Sequence, residues 1–310
     1  MYDVLIIGAG ISGMTAAIYC LRAGLNVAII EKSVQGGQIS ITNEIENYPG
    51  FSKISGPELA MSTYEQVKNL GCKFIYDEIK NVKLKDSIKI LKSEKNTYEC
   101  KSVIIAVGIQ RKKLGCKGEE KLIGHGVSYC ATCDGSFYKN KDVLIVGGGN
   151  TALEDALFLS NICNRVIIVV RKSYFKGEKT LVDSVLSKPN IEIKTEHVLE
   201  EITGENRVSA ARIKDINTQE SNIFPIDGAF IAIGYEPNNK IFADQVEVTE
   251  YGYFKSDENC KTNIEAVFVV GDCRDKPLRQ IVTAASDGAI AANQLIMYLN
   301  TKNTKQELKK

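Results

Sequence analysis

Asp3-Val4-Leu5-Ile6-Ile7-Gly8-Ala9-Gly10 recurs in mid-chain as Asp142-Val143-Leu144-Ile145-Val146-Gly147-Gly148-Gly149, and the likeness continues, with Ala17 answered by Ala156. Each copy is a short apolar run, a glycine turn and then apolar residues at helical spacing. That is the pattern of a buried parallel strand entering a helix. A β-rich run follows each copy, at 25–30 and at 165–170. Two βαβ units therefore open two Rossmann-like nucleotide-binding domains, an α/β fold. Further strands are expected at 103–108 and 229–234. A last apolar run at 266–270 leads into Gly271-Asp272 after the second domain is complete, so the chain is expected to return to the first. The expected division is one domain at 1–112 and 243–310, with a second inserted at 113–242. The polar tail at 301–310 is expected to fray.

The 310 residues are enough for two domains, each with its own core. The 39 basic and 38 acidic side chains nearly cancel, so no global field recruits nucleic acid or an anionic membrane. The stretch 4–21 is apolar, but Asp3 stands where a signal peptide carries positive charge, and glycines of the fingerprint interrupt it. Nine cysteines, an odd number with only one close pair, suit a reducing cytosol, and a cytoplasmic protein is expected. Two histidines leave no histidine-rich metal site.

Gly8, Gly10 and Gly13 spell G-x-G-x-x-G. The first glycine permits the turn, the second lets the backbone approach a pyrophosphate, and the third lets helix and strand pack closely. Glu31 closes the following strand, placed to accept hydrogen bonds from an adenosine ribose. The second copy reads Gly147, Gly149, Ala152, and its strand runs into Arg171-Lys172, with Lys176 beyond. Cations at that place favour a 2′-phosphate, hence NADPH; a solvated basic turn is the alternative.

Just ahead of the second fingerprint lies Cys130-Ala131-Thr132-Cys133-Asp134-Gly135. A C-x-x-C pair cycles between dithiol and disulfide, and an acid beside it can hold the proton that the cycle needs. Structural zinc would require a second such pair, which the sequence lacks. A non-catalytic binding protein would need neither the dithiol nor two nucleotide sites. Cys20 and Cys163 fall on helices as small apolar residues, and Cys72, Cys100, Cys116, Cys260 and Cys273 have no close partner in sequence.

The redox hexapeptide followed by Gly147-Gly148-Gly149-Asn150-Thr151-Ala152 resembles the low-molecular-weight, bacterial-type thioredoxin reductases, a flavin disulfide reductase family. Gly36-Gly37-Gln38, Glu46-Asn47-Tyr48-Pro49-Gly50, Gly271-Asp272 and Arg279-Gln280 match in the same order, so the resemblance spans nearly the whole chain. It implies FAD in the outer domain, contacted by Gly8, Gly10, Gly13, Glu31, Gln38, Asn47 and Asp272, with Gln280 and Ile281 near the flavin ring. It implies NADPH in the inserted domain, at Gly147, Gly149, Asn150, Thr151, Arg171, Lys172 and Lys176. Cys133 would face the flavin, Cys130 would attack the disulfide of a separate thioredoxin or thioredoxin-like protein, and Asp134 would serve as acid or base. The family also implies a homodimer, and an inserted domain that rotates between presenting NADPH to the flavin and exposing the dithiol.

Two segments depart from the family. Its phosphate-binding segment is His-Arg-Arg followed by a further Arg, where this chain has Val170-Arg171-Lys172 and Lys176, and Lys lacks the bidentate fork. His125 stands where the family often carries Arg, in a segment that docks thioredoxin. A reductase using NADH, or a ferredoxin-dependent flavin thioredoxin reductase, therefore remains an alternative. Relatives that pass electrons to ferredoxin or flavodoxin lack the two redox cysteines.

Overall fold

The first apolar run forms β1 (Tyr2–Ile7), followed by α1 (Ile11–Arg22) and β2 (Val27–Glu31), in a computed structural model that describes residues 1–42 and 44–307. Next come α2 (Gly56–Asn69), β3 (Lys73–Tyr76), the hairpin β4 (Asn81–Lys83) and β5 (Lys89–Lys92), and β6 (Thr97–Ile105). A capping box fixes the start of α2: Ser55 Oγ accepts the Glu58 N–H, and the Glu58 carboxylate accepts the Ser55 N–H. Strand β1 is buried on both faces. Val4 and Ile6 join one core with Met14, Ala17 and Leu295, while Leu5 and Ile7 join another with Ile30, Ile105 and Phe254. Burial on both sides explains why 4–7 reads as an unbroken apolar run.

The chain crosses through β7 (Ile109–Arg111) into a second compact unit, Arg111–Tyr235. Its elements are β8 (Val127–Ser128), a single turn α3 (Ala131–Asp134), β9 (Asp142–Val146), α4 (Asn150–Ser160), β10 (Arg165–Val170), α5 (Lys179–Leu186) and β11 (Ile191–Thr195). Three antiparallel strands follow, β12 (His197–Thr203), β13 (Ala210–Asp215) and β14 (Ser221–Pro225), then β15 (Gly228–Ile231). The main sheet is parallel, in the order β11-β10-β9-β15-β8. β16 (Tyr235–Pro237) leads out and pairs with β7.

The first unit is then completed by β17 (Val267–Val269), parallel to β6, and by the long α6 (Ile281–Glu307). Its parallel strands run β3-β2-β1-β6-β17; β5 pairs antiparallel with the first residues of β6, on the same edge that β17 joins farther along, and β4 pairs antiparallel with β5. Helix α6 crosses α1 at Gly288, where a Cβ would stand 2.3 Å from Ser12 O.

Two expectations are corrected. The second unit ends at Tyr235 rather than 242, because the fully buried Phe242 packs edge-on to Phe254, at 5.6 Å between ring centroids, in the core of the first unit. Helix α6 continues from 301 to Glu307, where fraying was expected; Lys302 pairs with Glu265 at 3.4 Å and lies over the Tyr298 ring. The rest of that tail lies outside the described residues.

Candidate active site

In the first unit, the carboxyl ends of β1, β2 and β17 carry the expected residues, as ligand sites of open parallel sheets do. Gly8 takes a left-handed φ of +109°, and a Cβ there would stand 2.3 Å from Ala106 O. A Cβ on Gly10 would meet nothing within 4 Å, so the backbone there is open to a ligand's approach. Gly10 caps α1 with no side-chain hydrogen bond, which leaves the first-turn N–H groups available to a pyrophosphate. Glu31 secures the loop: Oε2 accepts the Ala9 N–H at 2.8 Å, and Oε1 accepts the Ser33 N–H at 3.0 Å. A carboxylate has further lone pairs for ribose hydroxyls.

Asn47 Nδ2 donates to Gln280 Oε1 at 3.1 Å, joining two expected residues far apart in sequence. Gln38 donates to Ile109 O at 3.5 Å, and Ile281 opens α6 beside Ile11, Ile39 and Ala284. Asp272 lies half-buried in the turn Gly271–Cys273 that ends β17.

In the second unit, Gly147 repeats the close approach of Gly8, with a Cβ placed 2.3 Å from Ala232 O. Gly149 matches Gly10: a Cβ would meet nothing within 4 Å, and α4 begins there without a side-chain cap. Asn150 is engaged within the protein, donating to Glu178 Oε1 at 3.0 Å and accepting the Glu178 N–H at 2.8 Å. Thr151 is exposed in the first turn of α4. Arg171, Lys172 and Lys176 are exposed beyond the end of β10. Lys172 Nζ lies 2.9 Å from Tyr174 Oη, and the Lys176 N–H donates to Gly148 O at 2.7 Å. That backbone bond draws the basic loop onto the glycine turn.

Cys130 and Cys133 form a disulfide across α3, with Cα atoms 5.3 Å apart. Cys130 is half-buried and Cys133 exposed. Asp134 Oδ2 lies 2.5 Å from Ser128 Oγ, and burial raises the carboxyl above its ordinary range, while Ser128 and Arg111 act against that rise. Tyr129 is clamped just ahead of the motif. Its hydroxyl donates to Glu119 Oε1 at 2.7 Å, its carbonyl accepts the Tyr235 hydroxyl at 2.7 Å, and Arg111 lies over its ring at 5.2 Å. The site thus combines a disulfide, a buried carboxyl and an uncapped helix end beside a basic loop within one unit.

The sequence pattern of the family described as pyridine nucleotide-disulphide oxidoreductase matches residues 2–288. The chain belongs to that family. It is 42% identical to a thioredoxin reductase of Rickettsia typhi over 96% of this chain and 98% of the relative. It is 40% identical to the thioredoxin reductase of Bacillus subtilis, covering 96% and 95%. The crystal structure of thioredoxin reductase from Streptococcus pyogenes superposes with a TM-score of 0.93 at 40% identity, covering 97% of this chain and 99% of that one.

The fold also brings to the motifs residues that their sequence spacing did not mark. Asp287, 6% exposed on α6, accepts the Gly271 N–H at 2.9 Å and pairs with Arg274 at 2.6 Å and Lys276 at 2.8 Å. The one signal in sequence is an acid within a run of small residues, Ala284-Ala285-Ser286-Asp287-Gly288-Ala289. Glu119, Ser128, Tyr129 and Glu178 were equally silent, since only the fold brings them to the motifs. The remaining cysteines match the bland expectation. Burial pushes the Cys20, Cys100, Cys260 and Cys273 thiols up to about 12, and Cys72, Cys116 and Cys163 up to about 11.

Proposed function

We propose that the protein is a thioredoxin reductase that passes electrons from NADPH, by way of FAD, to the Cys130–Cys133 disulfide and on to oxidised thioredoxin. The observation that carries this is the disulfide, formed across one helical turn beside Asp134, in the unit that holds the second glycine fingerprint. The open backbone at Gly10 and Gly149, each at an uncapped helix end, fits two dinucleotides. FAD, when bound, supplies two-electron transfer between a nicotinamide and a disulfide.

Gly8, Gly10 and Gly13 would shape the pyrophosphate turn, Glu31 would take the adenosine ribose, and Asp272 the ribityl chain. Gln38, Asn47, Gln280 and Ile281 would line the flavin side of the outer, FAD-binding unit. Gly147, Gly149, Asn150 and Thr151 would bind NADPH in the inserted unit, with Arg171, Lys172 and Lys176 on its 2′-phosphate. Asn150 would do so while holding Glu178. The Cys130 thiolate would attack thioredoxin, and one thioredoxin sulfur would leave with a proton from Asp134. Cys133 would then attack Cys130 Sγ, restoring the enzyme disulfide and releasing the second sulfur. We further propose a cytoplasmic homodimer, on the family resemblance and the cysteine usage. Among the described residues no helix is long and apolar enough to cross a membrane.

Anaerobic titration of the flavin band with NADPH and NADH tests the proposal. Bleaching by NADPH alone is the expected result. Equal bleaching by NADH would remove the 2′-phosphate role from the three cations. Bleaching by neither, with reduced ferredoxin succeeding, would replace the electron donor.

A further inference from the structure

Ser128 ends β8, held in register by its pairing with Phe230 of β15, and is 5% exposed. Its Oγ accepts the Cys130 N–H at 3.1 Å, lies 2.5 Å from Asp134 Oδ2 and 3.4 Å from Cys130 O. A hydroxyl has one proton and two lone pairs. Cys130 N–H takes one lone pair, so the hydroxyl proton is left for Asp134 or Cys130 O, and the second lone pair for a protonated Asp134. With Asp134 ionised, the hydroxyl donates to Oδ2. With Asp134 protonated, the carboxyl donates to Oγ and the hydroxyl proton turns to Cys130 O. Both states are hydrogen-bonded with every heavy atom in place, so the carboxyl can change protonation without the redox turn moving. Arg111 favours the carboxylate, burial favours the acid, and Tyr138 is a titratable group that senses the Asp134 charge.

We propose that Ser128 is a positioning residue for disulfide exchange, holding Asp134 so that its proton reaches the departing sulfur. The inference rests on the roles proposed above for Cys130 and Asp134. As the Cys130 Sγ–S bond to the substrate forms, the substrate S–S bond breaks. The departing sulfur keeps that bond's electron pair and takes the Asp134 proton, which leaves its hydrogen bond to Ser128 Oγ, and the Ser128 hydroxyl then turns from Cys130 O to donate to the resulting carboxylate.

Two probe disulfides separate this role from a structural one. Hydroxyethyl disulfide releases a basic aliphatic thiolate that needs a proton, whereas the aromatic disulfide DTNB releases a thiolate stable without one. Flavin-loaded enzyme, fully reduced with dithionite, is mixed with each disulfide, and the return of the flavin band is timed. Ser128→Ala is expected to slow the aliphatic disulfide about tenfold more than DTNB, with Ser128→Thr restoring most of that difference. Equal slowing of both probes by Ser128→Ala would overturn the proposal, because a disturbed turn affects both. Asp134→Asn is the control. If it discriminates between the probes and Ser128→Ala does not, only the Ser128 role fails. If Asp134→Asn does not discriminate either, the acid role of Asp134 fails, and the Ser128 proposal with it.

Discussion

Asp287 Oδ2 accepts the backbone N–H of Gly271 at 2.9 Å, tying the last helix to the turn that carries Asp272. The same carboxylate neutralises Arg274 and Lys276, all three side chains being largely buried. Removing one member of such a cluster leaves buried charge without its partner, at a cost of about 3–5 kcal/mol. Asp287→Ala is therefore expected to lower Tm and to reduce the flavin content of the purified protein. Unchanged melting and a full flavin complement would contradict a supporting role of this cluster for the turn that carries Asp272.

The fingerprint glycines divide into two classes. A Cβ on Gly13 would lie 2.1 Å from Gly8 O, whereas one on Gly10 would meet nothing within 4 Å. Gly13→Ala should destabilise the fold itself. Gly10→Ala should leave the melting of flavin-free protein within about 1 kcal/mol of its parent, yet weaken FAD binding. Flavin fluorescence titration of both variants, beside calorimetry, measures the split.

Arg171 and Lys172 are exposed, and a solvated basic turn would tolerate their loss. If they bind a 2′-phosphate, Arg171→Ala and Lys172→Ala should each raise KM for NADPH about tenfold, the worth of one charged hydrogen bond. KM for NADH should stay near its starting value. Parallel changes for both nucleotides would return the loop to the solvated alternative.

Asp134 has its carboxyl pKa raised by burial. Between its unfolded and folded pKa values the folded state holds the extra proton, so its contribution to stability falls as pH rises through that window and stays low above it. Asp134→Asn removes the penalty. Relative to the parent, the variant should gain stability as pH rises above the ordinary carboxylate range, while losing disulfide reductase activity. Thermal melts across that range would show the gain, and a constant difference would exclude the titration.

Local periodicity made the two βαβ units legible, because the buried parts of parallel strands, such as 4–7 and 143–146, are apolar without interruption. The three-stranded sheet β12–β14 was not foreseen. Its strands, such as Ala210–Asp215, mix charged and apolar residues and close through antiparallel neighbours rather than a glycine fingerprint. Gly8, Gly10 and Glu31 were readable from spacing along one strand–helix–strand unit. The Asn47–Gln280 and Asp287–Gly271 contacts were not, since each joins segments that only the completed sheet brings together. The Ser128–Asp134 contact was hidden for another reason: serine beside a redox motif has no distinctive spacing, and only the direction of β8 aims its hydroxyl.

The return of the chain to its first sheet also sets an order of events during synthesis. Strands β8 to β15 complete the second unit from one continuous stretch, whereas β6 in the first unit must await β17, and α1 must await α6. On the ribosome the middle of the protein can finish folding while its beginning still exposes one flank of a half-built core. The amino-terminal fingerprint, first to emerge, is among the last parts to be sealed.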